Sequence, residues 1–186
     1  VLGNLITGDG NETVGFLTIQ DPYGTGLYDN AKISIEAAGG SVVANEEFAG
    51  GTKNFSAQVD KVLAAKPDAV VVISFDEAKS ILPELVKVKG FDASKVYLVD
   101  GNVSNYSESF TDFSIEGAQG TIPGVVATDA IKDKFLAVNK DLTDFSYAAE
   151  SYDATILIAL AAIAGGAADG ATIKANLKAV SEGGEK

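Results

Sequence analysis

Apolar residues along this chain recur with two different periods, which alternate from one segment to the next. Short runs rich in β-branched residues are typical of strands buried on both faces, whereas apolar residues at every third or fourth position are typical of helices. Strands are predicted at 14–19, 41–47, 69–73 and 95–99, and helices at 25–38, 56–65 and 77–88. This alternation predicts an α/β fold, an open parallel sheet sandwiched by helices.

Glycine and proline mark several of the predicted boundaries. Gly39 and Gly40 are expected to end the first helix, and Pro67 separates the second helix from the strand that follows. Asn54 or Thr52 is a candidate N-cap for the second helix. The third helix contains Pro83, so we expect it to continue past this residue with a local distortion.

The pattern changes towards the carboxyl end of the chain. The sequence predicts a short helical stretch at 106–113 and an exposed or crossing strand at 117–123. Helices and a polar tail are predicted for the residues that follow. Those helices are predicted at 129–139, 146–165 and 173–180, with the tail at 181–186. The segment Tyr152–Ala164 is apolar on almost every side, which predicts that it is buried against something. The earlier sheet already has its own helices, so we expect the partner of this segment to lie in a missing part of the protein.

Composition narrows the possible functions. The chain of 186 residues has 46% hydrophobic residues, enough for a core, and it contains no Cys, His, Met, Trp or Arg. Catalysis by thiolate or imidazole and zinc sites of the usual kind are therefore excluded. The net charge of −12 and the scattered lysines argue against nucleic-acid binding, which needs a concentrated positive patch. The longest apolar run, at 156–164, is too short to span a bilayer.

The loops that follow the strands supply the candidate binding residues. In an open parallel sheet these loops meet at one edge, where ligands bind. An aromatic surface beside a carboxylate would suit a small zwitterion, since the ring accepts apolar atoms and the carboxylate pairs with an ammonium group. The candidate contacts at this edge are Tyr23, Ser74, Phe75, Asp100 and Asn102.

Other interpretations of the same residues remain open at this point. Asp100 precedes a glycine and is also typical of a turn, and Tyr23 is equally consistent with a packing residue. The segment Asp-Pro-Tyr-Gly-Thr-Gly has the spacing of two glycines of a dinucleotide-binding loop but carries Asp29 where the third glycine belongs, so that pattern fails. An acidic metal site formed by Asp21, Asp76 and Asp100 has weak support, and we expect neither a metal nor a cofactor.

Several motifs together resemble the branched-chain amino-acid binding protein family, which has the type I periplasmic-binding fold. They are DPYGTG after the first strand, EAAGG before the second, TKNFSAQV at a helix entry and AAKPDAVVV at the third strand. YLVDGN, IEGAQGTIPGV and YAAESYDATILIALAAI follow with similar order and spacing. The resemblance covers nearly the whole chain, and the combination is specific although no single motif is.

The resemblance implies a protein whose two lobes close over a small ligand, with an amino acid as the expected class. It implies that residues 1–122 form the second lobe and that 123–186 are a mainly helical segment of the first lobe, most of which is absent from the chain. By motif position, Tyr23 would stack on the ligand, Phe75 would line the pocket and Asp100 would meet the ammonium group. Relatives often have Glu or another aromatic at the positions of Asp100 and Phe75.

We therefore expect no enzyme but the solute-binding component of an ABC transporter, working with a membrane permease. Its location would be extracytoplasmic, in the periplasm or as a cell-surface lipoprotein. The alternative is a ligand-sensing receptor domain of the same fold. A doubly wound enzyme is the third possibility, but it would have to work without His, Cys or Arg.

Overall fold

The computed structural model describes residues 1–182, which divide into two compact units, Val1–Ile122 and Pro123 onwards. The first unit alternates strands and helices, and the second is helical. The elements of the first unit are α1 Leu2–Gly8, β1 Thr13–Ile19, α2 Pro22–Ala37, β2 Ser41–Phe48, α3 Ser56–Ala64, β3 Ala69–Ile73, α4 Ala78–Leu82, β4 Val96–Val99 and β5 Gln119–Thr121. The elements of the second are α5 Asp129–Val138, α6 Ala148–Gly165 and α7 Gly170–Ser181.

The first unit is built on a five-stranded sheet in the order β2-β1-β3-β4-β5, in which every neighbouring pair is parallel. All residues of β3 and β4 are buried, as their continuous apolar sequences predict. β2 lies at one edge, and its residues before the buried Phe48 are exposed or partly buried, which accounts for its polar Asn45, Glu46 and Glu47. The predicted α/β class with an open parallel sheet is confirmed.

The start of α2 differs from the prediction, which places the helix from Thr25. The helix begins at Pro22, because Asp21 caps it by accepting a hydrogen bond from the Gly24 N–H at 2.7 Å. Proline at the first helical position and aspartate before it are favourable signals for a helix start. Interpreting Asp-Pro-Tyr-Gly as a turn therefore omits the first turn of α2.

The third predicted helix is distorted at Pro83, as expected. The α-helix α4 ends at Leu82 and continues as a π-helix over Pro83–Val88. Proline has no N–H to donate to the preceding turn, and the ladder shifts so that the Lys89 N–H reaches the Glu84 carbonyl five residues back. The helix boundary at 88 is confirmed.

Three further sequence predictions need correction. The helix at Leu2–Gly8 is not predicted, although Leu2, Leu5 and Ile6 have helical spacing and Ile6 is fully buried. The helix predicted at 106–113 is a series of turns, with the Asn105 side chain accepting from the Ser107 N–H in place of a helical bond. The N-cap of α3 is Phe55 rather than Asn54 or Thr52.

The second unit consists of three helices, and the described residues 123–182 contain no strand. α6 packs along α7, and Asp169 caps α7 by accepting from the N–H groups of Ala171 and Thr172 at 3.0 Å. The helices follow the predicted segments closely, except that α7 starts three residues earlier than predicted. The part of the tail beyond residue 182 lies outside the described residues.

α6 exposes much of its apolar surface. Ile163 is 76% exposed and Ile158 is 49% exposed, and the buried residues of 123–182 are Ala127, Ala148 and Ala161. At 18 residues the helix is longer than its apolar run at 156–164, and by length and composition alone it would suffice to cross a membrane. Core helices of water-soluble proteins meet the same condition.

Candidate ligand-binding site

The predicted site residues lie at the carboxyl edge of the sheet, in the loops after β1, β3 and β4. Tyr23 is in the first turn of α2, Phe75 lies two residues after the end of β3, and Asp100 directly follows β4. Parallel neighbours bring these three loops together, because β3 lies between β1 and β4. The edge of the sheet thus places side chains that are up to 77 positions apart in the sequence within contact distance.

Tyr23, Phe75 and Asp100 form one cluster. The Tyr23 and Phe75 rings are stacked, with centroids 4.9 Å apart and an interplanar angle of 25°. The Tyr23 hydroxyl donates to Asp100 Oδ1 at 2.7 Å and accepts from the Gly101 N–H at 3.0 Å. Phe75 is 43% exposed, so an apolar ring face and a carboxylate are offered to solvent side by side.

Gly101 is required by the close approach of the loops. A Cβ atom at this position would lie 2.7 Å from the Tyr23 hydroxyl oxygen and 2.8 Å from the Ser74 carbonyl oxygen. Both distances are too short for any side chain, so only glycine lets the β4 loop pass beneath the aromatic pair. The Asp100-Gly101 pair therefore has two roles: Gly101 allows the close approach of the loops, and Asp100 accepts from Tyr23.

Ser74 and Asn102 are buried and form an internal hydrogen-bond network. Asn102 Nδ2 donates to the Val72 carbonyl at 2.8 Å and to Ser74 Oγ at 2.9 Å, and Asn102 Oδ1 accepts from the Val99 N–H at 2.9 Å. These bonds use both amide N–H donors and the amide oxygen, and they tie the end of β4 to the end of β3. In this structure the two residues fix the loops that carry Phe75 and Asp100, and they do not face solvent.

Glu77 also belongs to this edge, although it is not among the contacts predicted from the sequence. Its Oε1 accepts from the Gly51 N–H at 2.8 Å, and its Oε2 accepts from the Phe75 N–H at 3.2 Å. Partial burial raises the pKa of the Glu77 carboxyl, but the N–H groups of Gly51 and Phe75 favour the charged form, and the pKa ends below its ordinary value. No local sequence signal marks such a contact, because Gly51 belongs to a different loop.

The three acids of the weak metal-site alternative serve separate purposes. Asp21 caps α2, Asp76 pairs with Lys79 at 2.8 Å, and Asp100 accepts from Tyr23. Among residues 1–182 there is no group of three or more acidic side chains placed to hold a metal ion. The acidic residues of the site are therefore arranged as hydrogen-bond acceptors.

A second concave surface on the first unit shares no lining residue with this cluster. It is a groove of about 450 Å³ formed by the turns after β4, with Tyr106, Phe110 and Phe113 along it. The rings of Tyr106 and Phe110 stack at 5.0 Å. Burial raises the pKa of Tyr106 to about 12, so this hydroxyl stays protonated and donates to the Asn102 carbonyl. Tyr106 thus joins the wall of the groove to the loop that carries Asn102.

Comparison with known proteins agrees with the fold. A family model described as periplasmic binding protein matches residues 1–183. No curated protein matches the chain. The parallel sheet with its covering helices is the type I periplasmic-binding fold.

Three solved structures illustrate the likeness. An extracellular ligand-binding receptor from Rhodopseudomonas palustris HaA2 is 20% identical with a TM-score of 0.77, covering 100% of this chain and 56% of its own. A leucine-binding protein from Thermotoga maritima MSB8 is 20% identical with a TM-score of 0.73, covering 95% of this chain and 51% of its own. An amino acid ABC transporter substrate-binding protein from Pseudomonas fluorescens Pf-5 is 20% identical with a TM-score of 0.69, covering 91% and 47%. The chain spans about half of the length of these structures.

Proposed function

We propose that this chain, which belongs to the periplasmic binding protein family, is part of the solute-binding component of an ABC transporter. Its ligand would be an amino acid, and the branched-chain amino acids are the first class to test. The observation that carries this proposal is the exposed Phe75 ring beside the Asp100 carboxylate. A leucine-binding protein and an amino acid ABC transporter substrate-binding protein, both structures of the same fold, support the ligand class.

The chemistry of the cluster matches one half of an amino acid. Asp100 keeps acceptor capacity beyond its bond to Tyr23, since an ionised carboxylate has about four lone-pair sites. An ammonium group would be held there by a charge-assisted hydrogen bond, and an aliphatic side chain would lie on Phe75. The chain has no Arg, so any contact of these 186 residues with the ligand's carboxylate would come from hydroxyls, Lys or backbone N–H groups.

We assign different roles to the five predicted site residues. Tyr23, Phe75 and Asp100 would contact the ligand, because they meet at the accessible edge of the sheet. Ser74 and Asn102 would act indirectly by fixing the loops, because both are buried and bonded to each other.

Calorimetric titration of the full-length protein from its native gene with L-leucine, L-isoleucine and L-valine tests this proposal. We expect Asp100→Asn to weaken binding by about 10- to 100-fold, the usual value of a hydrogen bond to a charged group. Asp29→Asn is the matched control, since Asp29 is on α2 and outside the cluster. Absence of binding to any amino acid, or equal losses in the two variants, would contradict the proposal.

We further propose that residues 1–122 form the second lobe of this receptor and that 123–186 belong to its first lobe. The division of the chain at residues 122 and 123 supports this assignment. The exposed apolar side chains of α6 support it too, because such a helix needs a partner. The partner would be the part of the first lobe that this chain does not contain.

The α6 assignment is tested in the isolated chain by the double substitution of Ile158 and Ile163 with lysine. We expect this variant to bind less hydrophobic dye and to self-associate less, with unchanged unfolding of the first unit. Ile33→Lys on α2 is the control, since Ile33 is a single exposed apolar residue. Insertion of α6 into phosphatidylcholine vesicles would instead indicate a membrane span and overturn the assignment.

The transport role implies an extracytoplasmic location and a membrane permease as partner. Loss of amino-acid uptake when either the protein or the permease is deleted would support transport. A response to amino acids that survives deletion of every candidate permease would support the alternative, a ligand-sensing receptor domain.

A further inference from the structure

Glu77 connects two loops that come from different parts of the chain. Its carboxylate accepts from the Gly51 N–H in the loop after β2 and from the Phe75 N–H in the loop after β3. β2 and β3 are not neighbours in the sheet, because β1 lies between them. The Glu77 side chain therefore spans a gap that the strand ladder of the sheet does not close.

The contact of Glu77 with Phe75 continues into the proposed site. The Phe75 ring stacks on Tyr23, and the Tyr23 hydroxyl donates to Asp100. A displacement of the Phe75 backbone would therefore change the ring stack and the position of the hydroxyl that holds Asp100. The two carboxylate oxygens of Glu77 accept from Gly51 and Phe75, so its effect on the site passes through Phe75.

We infer that Glu77 is a positioning residue of the proposed ligand site, which joins the loops after β2 and β3 and thereby holds the Phe75 ring against Tyr23. The expected effect of Glu77 on ligand affinity rests on the proposed function. The connection between the loops is a property of this chain alone and is measurable without a ligand.

Only a glutamate side chain at this position satisfies both N–H groups. An ionised carboxylate accepts at both oxygens, whereas an amide would place its own donor against one of the N–H groups. Aspartate has one methylene fewer and would reach one loop at most. Glu77→Gln keeps the size and removes one bond, and Glu77→Asp keeps the charge and shortens the reach.

The charge of Glu77 is stabilised by its surroundings. Lys53, in the loop after β2, is the positive group that acts on it, while the adjacent Asp76 is paired with Lys79. Partial burial raises the pKa of Glu77, but the N–H groups outweigh it and the pKa lies below its ordinary value of 4.5. A lowered pKa means that the connection is complete above pH 4.5 and is lost as the pH falls through the lower folded value.

Nuclear magnetic resonance of this chain tests the connection directly. We expect the amide protons of Gly51 and Phe75 to shift together as the pH is lowered, with one midpoint below 4.5. The ring protons of Phe75 and Tyr23 should shift with the same midpoint. In Glu77→Gln this common titration should disappear, while in Asp76→Asn it should remain, since the Asp76 side chain is 88% exposed and pairs with Lys79 in the same segment.

Ligand affinity of the full-length protein tests the consequence. With L-leucine as the probe, we expect Glu77→Gln to weaken binding about tenfold, and Asp76→Asn to leave it within about twofold of the original. The loss in Glu77→Gln should diminish at a pH below the midpoint, where the original glutamate is protonated as well.

The outcomes separate this inference from the proposed function. If Asp100→Asn weakens leucine binding as expected and Glu77→Gln does not change it, the inference is wrong and the proposed function stands. If the original protein binds no amino acid but the common titration is present, the proposed function fails and the connection between the loops is retained. Independent titration of the Gly51 and Phe75 amides would overturn the inference in either case.

Discussion

Both units satisfy their backbone hydrogen bonds with regular secondary structure, but they differ in how much of their apolar side chains they bury. In residues 1–122 the sheet is covered so completely that all five residues of β3 are inaccessible to solvent. In 123–182 the helices are equally regular, yet only three alanines are buried and Ile163 is 76% exposed. Regular secondary structure thus occurs in both units, whereas a continuous core of buried large side chains occurs in the first.

This difference separates two contributions to folding, backbone hydrogen bonding and the burial of apolar area. A helix satisfies its own backbone hydrogen bonds and requires partners only for its end groups, which Asp169 supplies at the start of α7. Burial of apolar area contributes most of the stability of a fold. The first unit is therefore expected to unfold cooperatively by itself, and the second is expected to depend on further partners.

Truncation of a core side chain gives the largest expected contrast between the units. Phe16 in β1 is fully buried and contacts the Tyr28 ring edge to face at 5.1 Å. We expect Phe16→Ala to lower the free energy of unfolding of the first unit by about 3–5 kcal/mol, from lost burial and the cavity left behind. Ile163→Ala in α6 should change stability by less than about 0.5 kcal/mol, because most of the side chain already contacts solvent.

Urea denaturation followed by circular dichroism measures both changes. Ile33→Ala, on the surface of the first unit, controls for position in the chain and should behave like Ile163→Ala. If Ile163→Ala were as costly as Phe16→Ala, α6 would be buried in the isolated chain, for example in a self-associated form, and the contrast between the units would be lost.

Glycines at packing contacts give the second contrast. A Cβ atom at Gly24 would lie 2.0 Å from the Ile19 carbonyl oxygen, whereas one at Gly165 would meet the Thr172 methyl group at 2.2 Å. The carbonyl belongs to the β1 backbone and cannot move aside, but the Thr172 side chain can. We expect Gly24→Ala to cost about 3 kcal/mol, the upper range for overpacking, and Gly165→Ala to cost about 1 kcal/mol.

Gly26 provides a matched control in the same helix as Gly24. A Cβ atom at this position would have no neighbouring atom within 4 Å, so Gly26→Ala should stabilise α2 by about 0.5–1 kcal/mol through helix propensity. Thermal unfolding of Gly24→Ala, Gly165→Ala and Gly26→Ala measures their stabilities, which should increase in that order. Equal effects of Gly24→Ala and Gly26→Ala would mean that the turn between β1 and α2 adapts to the added methyl group.

The sheet of the first unit could be predicted from the sequence because its strands are continuous apolar runs. VGFLTI and AVVVI leave few other interpretations, and turn residues follow each of them. The errors fall at places where local signals compete. Asp21-Pro22 is both a turn signal and a helix start, and the seven residues of α1 are too few to show a clear period.

The geometry of the candidate site could be predicted in part. Parallel topology places the loops after β1, β3 and β4 together, which makes Tyr23, Phe75 and Asp100 neighbours on general grounds. Asn102 is buried and donates to the Val72 carbonyl instead of facing a ligand. No sequence pattern specifies how deeply the loop after β4 is buried. The contact between Glu77 and Gly51 depends on the same tertiary detail, and the sequence did not indicate it.

The smallest expected contrast between the two units is in how their stability depends on pH. Hydrogen bonds from the Thr13 N–H and hydroxyl lower the pKa of Asp68 in the first unit, and those from the Thr172 N–H and hydroxyl lower the pKa of Asp169 in the second. In each case the folded pKa lies below the ordinary value of 3.8, so the stabilisation is complete above that value and is lost as the pH falls through the folded pKa.

We expect Asp68→Asn to lower the denaturation midpoint of the first unit at neutral pH, and the difference from the original chain to shrink below pH 3.8. Asp169→Asn should instead increase amide exchange at Ala171 and Thr172, because this carboxylate holds only the first turn of α7. A change in the midpoint of the first unit on substitution of Asp169 would show that the two units unfold together. The stabilisation by Asp68 and that by Asp169 would then act on one common unfolding transition.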